Sequence, residues 1–96
     1  MTTSSEILDD AERAITVDRD ATHGEAERNF AAISDIWDAL DAARCDRPRS
    51  ALDVGLYMAA LKLVRASGNP SHIDSMIDAA GYVALSGELA ASEYWT

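Results

Sequence analysis

Two acidic and two basic residues are spaced so that they can meet on two successive helices. Asp74 and Asp78 are four residues apart, which places both carboxylates on one face of a helix. Lys62 and Arg65 precede them, across residues 67–70, whose Ser-Gly-Asn-Pro composition is typical of a turn. Two interpretations use the same residues. They form an ion-pair network that joins the helices, or a site in which carboxylates bind a divalent cation and cations bind phosphate oxygens.

Other polar residues could complete such a site. His72, at the predicted start of a helix, could donate to a phosphate, and Asn29 or Tyr82 could contact a base or a ribose. His23 lies in a polar stretch, residues 18–29, that could form the other wall of a pocket. Neither histidine has a partner at metal-ligand spacing, which disfavours a zinc site. The candidate ligand-binding residues are therefore His23, Asn29, Lys62, Arg65, His72, Asp74, Asp78 and Tyr82, with Asp74 and Asp78 as candidate Mg²⁺ ligands.

Several common catalytic patterns are absent from the sequence. It contains no phosphate-binding glycine loop, no Ser/His/Asp set and no Cys-x-x-Cys motif, which disfavours P-loop hydrolysis and thiol redox chemistry. The single cysteine, Cys45, excludes an intrachain disulfide, and we expect it to be an exposed thiol. Asp35 and Asp38 resemble an acidic metal pair, but they flank Trp37, which we expect in the core, so they are expected to be solvated.

The elements that must position these residues are predicted to be helices. Apolar residues recur at three- and four-residue intervals, Ser50 with Asp53 and Ser71 with Asp74 match the capping box, and no strand-like alternation of useful length occurs. The pattern predicts helices at about residues 4–17, 24–43, 50–67 and 71–91. We therefore expect one all-α domain over residues 1–96, a small four-helix bundle.

The third predicted helix should be the centre of the bundle. Between Leu52 and Arg65 only Asp53, Lys62 and Arg65 are charged, and a helix that is apolar nearly all round is normally buried on several sides. Lys62 must therefore reach water, pair with an acid, or face a cavity that holds an anion. The sequence leaves these three alternatives open.

Apolar periodicity also predicts which side chains the flanking helices bury. The predicted buried residues are Phe30, Ile33, Ile36, Trp37 and Leu40 on the second helix, and Ile73, Met76, Ile77, Ala80 and Ala84 on the fourth. Tyr94 and Trp95, near the end of the chain, are expected to fold back or to lie at a subunit contact. With four short helices, we expect a homo-oligomer, most simply a twofold dimer.

Composition excludes some classes of partner. The chain has 96 residues and a net charge of −9, which argues against general binding to nucleic acid or to anionic membranes. No segment has the pattern of a signal peptide, and the apolar runs are too short to span a membrane. The expected location is the cytoplasm.

The order of motifs resembles a family of small phage and prophage proteins of unknown function. The motifs are DR…HG…NF…IW…DV-x₂-YM-x₂-LK-x₂-R…H-x-DS-x₂-D-x-AGY, and they cover about residues 18–88. The sequence departs from that family at His23, where tyrosine is common. The layout is more distantly similar to the all-α MazG-type nucleoside triphosphate pyrophosphatases, although their E-x-x-E and E-x-x-D pairs are not reproduced.

These observations support a leading function and a rival. The leading hypothesis is a phage-type accessory protein that binds a nucleotide or another phosphorylated small molecule, in which Asp74 and Asp78 either coordinate Mg²⁺, a possible cofactor, or orient the cations. The resemblance leaves catalysis open, and metal-dependent nucleotide pyrophosphohydrolysis is the reaction expected if the chain is an enzyme. The rival is an acidic protein-interaction module without a small-molecule site, which inhibits a host factor or mimics the charge of DNA.

Overall fold

The computed structural model describes residues 2–16 and 23–95, with side chains for residues 2–14 and 27–95, and this part of the chain is all-α. The four helices are α1 (Ser4–Thr16), α2 (His23–Arg44), α3 (Ala51–Gly68) and α4 (Ile73–Tyr94). The expected fold class, a small helical bundle, is confirmed. The helix ends lie within three residues of the predicted ones, and α4 differs most because it continues to Tyr94.

Helix α3 is the central element, and both α2 and α4 pack antiparallel against it. At about 100° per residue, Leu52, Ala59 and Ala66 share the side that faces α4, and Asp53 and Ala60 lie about 100° around the helix from that side. All five are buried, as expected for a central helix. The described side chains of α1, in contrast, are all exposed.

Small residues bring α3 and α4 close together. The Ser86 hydroxyl is buried and donates a hydrogen bond of 2.7 Å to the carbonyl oxygen of Leu52. A Cβ added to Gly55 would overlap the Ser86 hydroxyl and would lie 3.3 Å from the carbonyl oxygen of Tyr82. Gly55 therefore permits a close approach of the two backbones that any larger residue would prevent.

The interface between α2 and α3 is built on an aromatic pair. Trp37 Nε1 donates a hydrogen bond of 2.9 Å to the carbonyl oxygen of Tyr57, and the two rings lie 5.8 Å apart between centroids. Ile33, one turn away, is buried, whereas Phe30 is 61% exposed. The predicted burial of Phe30 is therefore wrong.

Helix α4 packs with a different face from the predicted one. Its buried residues are Ser75, Ala79 and Ser86, whereas Ile73 and Ile77 are 58% and 61% exposed. The physical reason is the close approach at Gly55, which requires a small side chain at Ser86, where α3 and α4 are closest. The more apolar face of α4 consequently points away from the chain. At the end of α4, Tyr94 and Trp95 are exposed as well, Trp95 to 80%.

The predicted capping box at the start of α3 is confirmed. The buried Asp53 carboxylate accepts a hydrogen bond of 2.8 Å from the backbone N–H of Ser50 and two hydrogen bonds from Arg47, of 2.5 and 3.0 Å. Arg47 has the largest effect on the pKa of Asp53, which is lowered to about 2 although burial alone would raise it. The ion pair with Asp53 also raises the pKa of Arg47, and a hydrogen bond with the Tyr94 side chain raises it further.

The capping box predicted at the start of α4 is not formed. The N-cap residue is His72, whose side chain makes no capping hydrogen bond, and the Ser71 hydroxyl donates to Asn69 Oδ1 instead, at 2.8 Å. Ser71 is thus used to fix the turn before α4. Cys45 is exposed, as predicted, and so are Asp35 and Asp38, which flank Trp37.

The contact at Gly55 generates a stability prediction. We expect Gly55→Ala to lower the free energy of unfolding by about 1–3 kcal/mol, because the added methyl group must displace Ser86 or separate the helices. The matched control is Gly81→Ala on α4, where an added Cβ meets no described atom within 4 Å. That control should stabilise the helix by up to about 1 kcal/mol. Equal effects of the two variants in urea unfolding would contradict the described packing.

The capping carboxylate generates a prediction about pH. Because the folded-state pKa of Asp53 is about 2, below the ordinary value of 3.8, its stabilisation is complete at neutral pH and is lost as pH falls towards 2. The stability difference between wild type and Asp53→Asn should therefore shrink by about 1 kcal/mol between pH 7 and pH 3. Urea titrations of both proteins at the two pH values measure it. A difference that stays constant would show that Asp53 does not titrate as described.

Candidate functional site

A cleft of about 620 Å³ lies where α2, the end of α3 and the start of α4 converge. This volume is within the range of small-molecule sites. Four of its lining residues carry, or can carry, positive charge, and the others are small or polar; they are Arg28, Lys62, Arg65 and His72, with Asn29, Gly68, Asn69 and Ser75. We refer to it as the basic cleft.

The charge of the basic cleft is opposite to that of the whole chain. None of its eight lining residues is acidic, although the chain carries 17 aspartates and glutamates and a net charge of −9. Lys62 Nζ has an acidic partner outside the lining, Asp78 Oδ2, at 2.9 Å. Within the described part of the chain, neither Arg28 nor Arg65 forms an ion pair. The cleft therefore holds excess positive charge.

The turn between α3 and α4 shapes one wall of the basic cleft. Helix α3 ends where the N–H of Asn69 donates to the carbonyl of Arg65 at 2.9 Å, and the N–H of His72 then donates to the carbonyl of Asn69 at 3.0 Å. His72 Nδ1 lies 3.1 Å from the hydroxyl of the buried Ser75, which leaves Nε2 of the ring for another partner. The amino end of α4 adds its positive dipole to this wall.

Helix α2 forms the opposite wall. A Cβ on Gly68 would lie 3.6 Å from Asn29 Oδ1, so the two helices are in contact at this point. Arg28 and Asn29 are neighbours on α2 and both line the cleft. The glycine that ends α3 thus also lets the amide side chain reach the rim of the cleft.

The structure brings together half of the predicted ligand-binding residues. Asn29, Lys62, Arg65 and His72 all line the basic cleft, and Asp78 adjoins it through Lys62. The three alternatives for Lys62 reduce to a combination of two, because its ammonium group pairs with an acid and also faces a cavity. The side chain of His23 is not among the side chains that the structure describes.

Asp74 and Tyr82 do not line the basic cleft. Asp74 is exposed and lies about 100° around α4 from Ser75, and Tyr82 lies ten residues, about 15 Å, along α4 from His72. The described residues contain no group of three or more His, Cys, Asp or Glu side chains that could hold a metal ion. Among the described residues, no third ligand therefore joins Asp74 and Asp78 at the predicted Mg²⁺ site.

Sequence reasoning missed Arg28, Gly68, Asn69 and Ser75. The signal available for Arg28 was its position next to Asn29, a predicted site residue. The other three belong to the turn or the first turn of α4, and their role depends on how tightly the chain reverses, which composition alone does not determine.

A second polar cluster lies at the other end of the interface between α2 and α3. Asp41 accepts hydrogen bonds from the Tyr57 hydroxyl and from Arg44, whose guanidinium also donates to the carbonyl of Arg47 at 2.8 Å. The Tyr57 hydrogen bond, followed by that of Arg44, lowers the pKa of Asp41. Arg49 also approaches Asp41, at 3.9 Å, and its guanidinium lies over the Tyr57 ring, so this cluster joins α2 to the segment before α3 and to α3 itself.

Comparisons with known proteins place the chain among phage sequences. A profile of the family DUF6378, described as a domain of unknown function, matches residues 6–90. The Gene 55 proteins of Mycobacterium phages D29 and L5 are both 33% identical over 79 residues, or 82% of this chain. The chain spans about half the length of these relatives, 50% and 49% respectively. No solved structure matches the chain significantly.

None of the helices in the described residues is both long enough and apolar enough to cross a membrane.

The excess charge of the cleft generates a prediction about stability. Lys62 is 18% and Asp78 47% exposed, so the pair is partly solvated, and we expect Lys62→Met to change the free energy of unfolding by less than about 1 kcal/mol. Asp78→Asn should destabilise more, because it leaves Lys62 among the other cations of the cleft without its acid. Asp74→Asn, one turn away and exposed, is the control and should have no measurable effect. If Lys62→Met proves the most destabilising of the three, the cleft does not carry uncompensated charge.

Proposed function

The chain belongs to the DUF6378 family, and we propose that it is a phage-type accessory protein that binds a nucleotide or another phosphorylated small molecule in the basic cleft. One observation carries the proposal. Three permanent cations and a histidine line a cavity that contains no acid, in a chain of net charge −9. Lys62 is paired with Asp78, but Arg28 and Arg65 have no acidic partner among the described residues, and an anion would relieve the repulsion among the cations.

The chemistry of the lining fits phosphate oxygens. Arginine presents a planar fork that can bind two oxygens at once, and lysine adds a point charge. Arg28 and Arg65 come from different helices, so a ligand with more than one phosphoryl oxygen could bridge them. His72 Nε2 and the amino end of α4 would complete the anion-binding set. Asn29 is the lining group that would contact an uncharged part of the ligand, such as a base or a sugar.

Divalent metal is a separate part of the proposal. Asp78 is engaged by Lys62 and Asp74 lies outside the cleft, so we propose that protein cations bind the phosphate directly. Mg²⁺, if it takes part, would then arrive bound to the nucleotide. Hydrolysis in the manner of a MazG-type pyrophosphohydrolase would need that metal, and it is tested by following phosphate and pyrophosphate release in parallel with binding.

Calorimetric titration of the whole chain tests the proposal. Orthophosphate, pyrophosphate and nucleoside mono-, di- and triphosphates are titrated with and without Mg²⁺, at low and at physiological salt. We expect affinity to rise with the number of phosphoryl groups and to fall as salt screens the cleft. No heat and no thermal shift for any of these ligands would contradict the proposal and favour the rival function, an acidic protein-interaction module.

A pair of arginine variants links binding to the cleft. Arg65→Gln removes a cation that has no ion-pair partner among the described residues, and affinity for the best ligand should fall at least tenfold, or about 1.4 kcal/mol. Arg13→Gln makes the same change of charge on α1, where Arg13 is exposed and pairs only loosely with Asp10, at 3.8 Å. That control should change affinity less than about twofold. Equal losses would mean that net charge alone, and not the cleft, determines binding.

A further inference from the structure

The face of α4 that points away from α3 forms an apolar stripe. Its members recur at intervals of three and four residues on the side opposite the buried Ser75, Ala79 and Ser86; they are Ile73, Ile77, Ala80, Ala84, Gly87 and Ala91. A Cβ built on Gly87 meets no described atom within 4 Å, so this part of the helix lies open. We refer to these six residues as the outer face of α4.

The chain exposes more surface than a folded monomer of its mass. Its accessible area is 7120 Å², whereas a monomeric protein of 10.3 kDa is expected to expose about 5,400 Å². The radius of gyration is 16.6 Å, against about 12.5 Å for a compact chain of this length. The excess of about 1,700 Å² includes the surface of α1, whose described side chains are all exposed, and it is larger than the roughly 800 Å² that each partner buries in a standard interface.

The hydrophobic core is correspondingly small. No large side chain is fully buried in the described part of the chain, and the buried apolar residues are four alanines, one leucine and one isoleucine. The main contacts among the helices are those of α3 with α4 and of α3 with α2. Each of α2 and α4 therefore keeps much of its surface exposed, and the described part of the chain buries little apolar surface.

We propose that the outer face of α4 is the interface between two copies of this chain, packed antiparallel about a twofold axis between Ala80 and Ala84. The order of residue sizes along the face supports this arrangement. Large residues occupy its first half and small residues its second half, so an antiparallel partner sets Ile73 against Ala91 of the second copy and Ile77 against Gly87 of the second copy. An isologous contact requires this self-complementarity.

Helix α1 of the same chain is too small to cover this face. It has 13 residues and is about 20 Å long, whereas the outer face of α4 extends about 27 Å from Ile73 to Ala91. Ile7 and Leu8 are the large apolar residues among its described side chains, and both are exposed. A helix of equal length with the same spacing, such as α4 of a second copy, matches the face better.

The proposed antiparallel dimer brings like charges together, and this repulsion gives dimerisation a characteristic dependence on salt. Asp74 and Glu88 lie on one flank of the outer face, and an antiparallel twofold places these acids of both copies on the same side. These exposed charges repel, and added salt screens the repulsion. Dimerisation should therefore strengthen from 0.05 to 0.5 M NaCl, whereas phosphate binding in the basic cleft should weaken over the same range.

Sedimentation equilibrium of the full chain tests the interface. At 50 µM and 0.5 M NaCl we expect a dimer for the wild type, and a dissociation constant at least tenfold higher for Ala84→Glu with unchanged helicity by circular dichroism. Ala39→Glu, an identical change at an exposed position of α2, should leave the dimer intact. A monomeric wild type, equal effects of the two variants, or a dimer weakened by salt would overturn the proposal.

Cross-linking and truncation locate the contact even if Ala84→Glu fails to fold. In a Cys45→Ser background, a mixture of Ala80→Cys and Ala84→Cys chains should be joined efficiently by a short bismaleimide, while a Cys at position 39 should not. A chain that ends at Glu93, without Tyr94 and Trp95, should still dimerise. Loss of the dimer on that truncation, with no cross-link through α4, would place the interface at the aromatic end of the chain instead.

Discussion

The packing of the helices depends on the close approach of α3 and α4 at Gly55. Because Ser86 donates to the carbonyl of Leu52 in place of a bulky contact, the two backbones lie near each other and set the register of the whole helix pair. That register puts Lys62 beside Asp78, at 2.9 Å, and the fully buried residues of α4 are the small Ser75, Ala79 and Ser86. The basic cleft and the exposed outer face of α4 are both consequences of this one contact.

Much of the fold could be predicted because it depends on local signals. Helix boundaries follow from periodicity and from residues such as Ser50 and Asp53, whose hydrogen bonds are made within one turn. The face of α4 that packs against α3 could not be predicted in the same way. Periodicity finds the apolar face of a helix, but it does not say whether that face packs within the chain. Here Gly55 selects the small face of α4, and Ile77 is left outside.

The site was partly predictable for a similar reason. Lys62 and Arg65 were recognisable because charge on an apolar helix needs an explanation, and His72 because it begins the next helix across a short turn. Arg28 could not be found, since it is an ordinary exposed arginine until the register of α2 against α3 brings it to the cleft. Tyr82 was included on sequence pattern alone and lies too far along α4 from the cleft.

The account's central claim is that the basic cleft binds phosphate groups. A two-dimensional amide NMR spectrum recorded while pyrophosphate is added to the ¹⁵N-labelled chain tests it most directly. The account predicts saturable shifts confined to the amides around the cleft, above all Gly68, Asn69 and His72, while Ser86 and the amides of α1 stay unchanged. Shifts that are absent, or that spread over the exposed surface of α1, would contradict it.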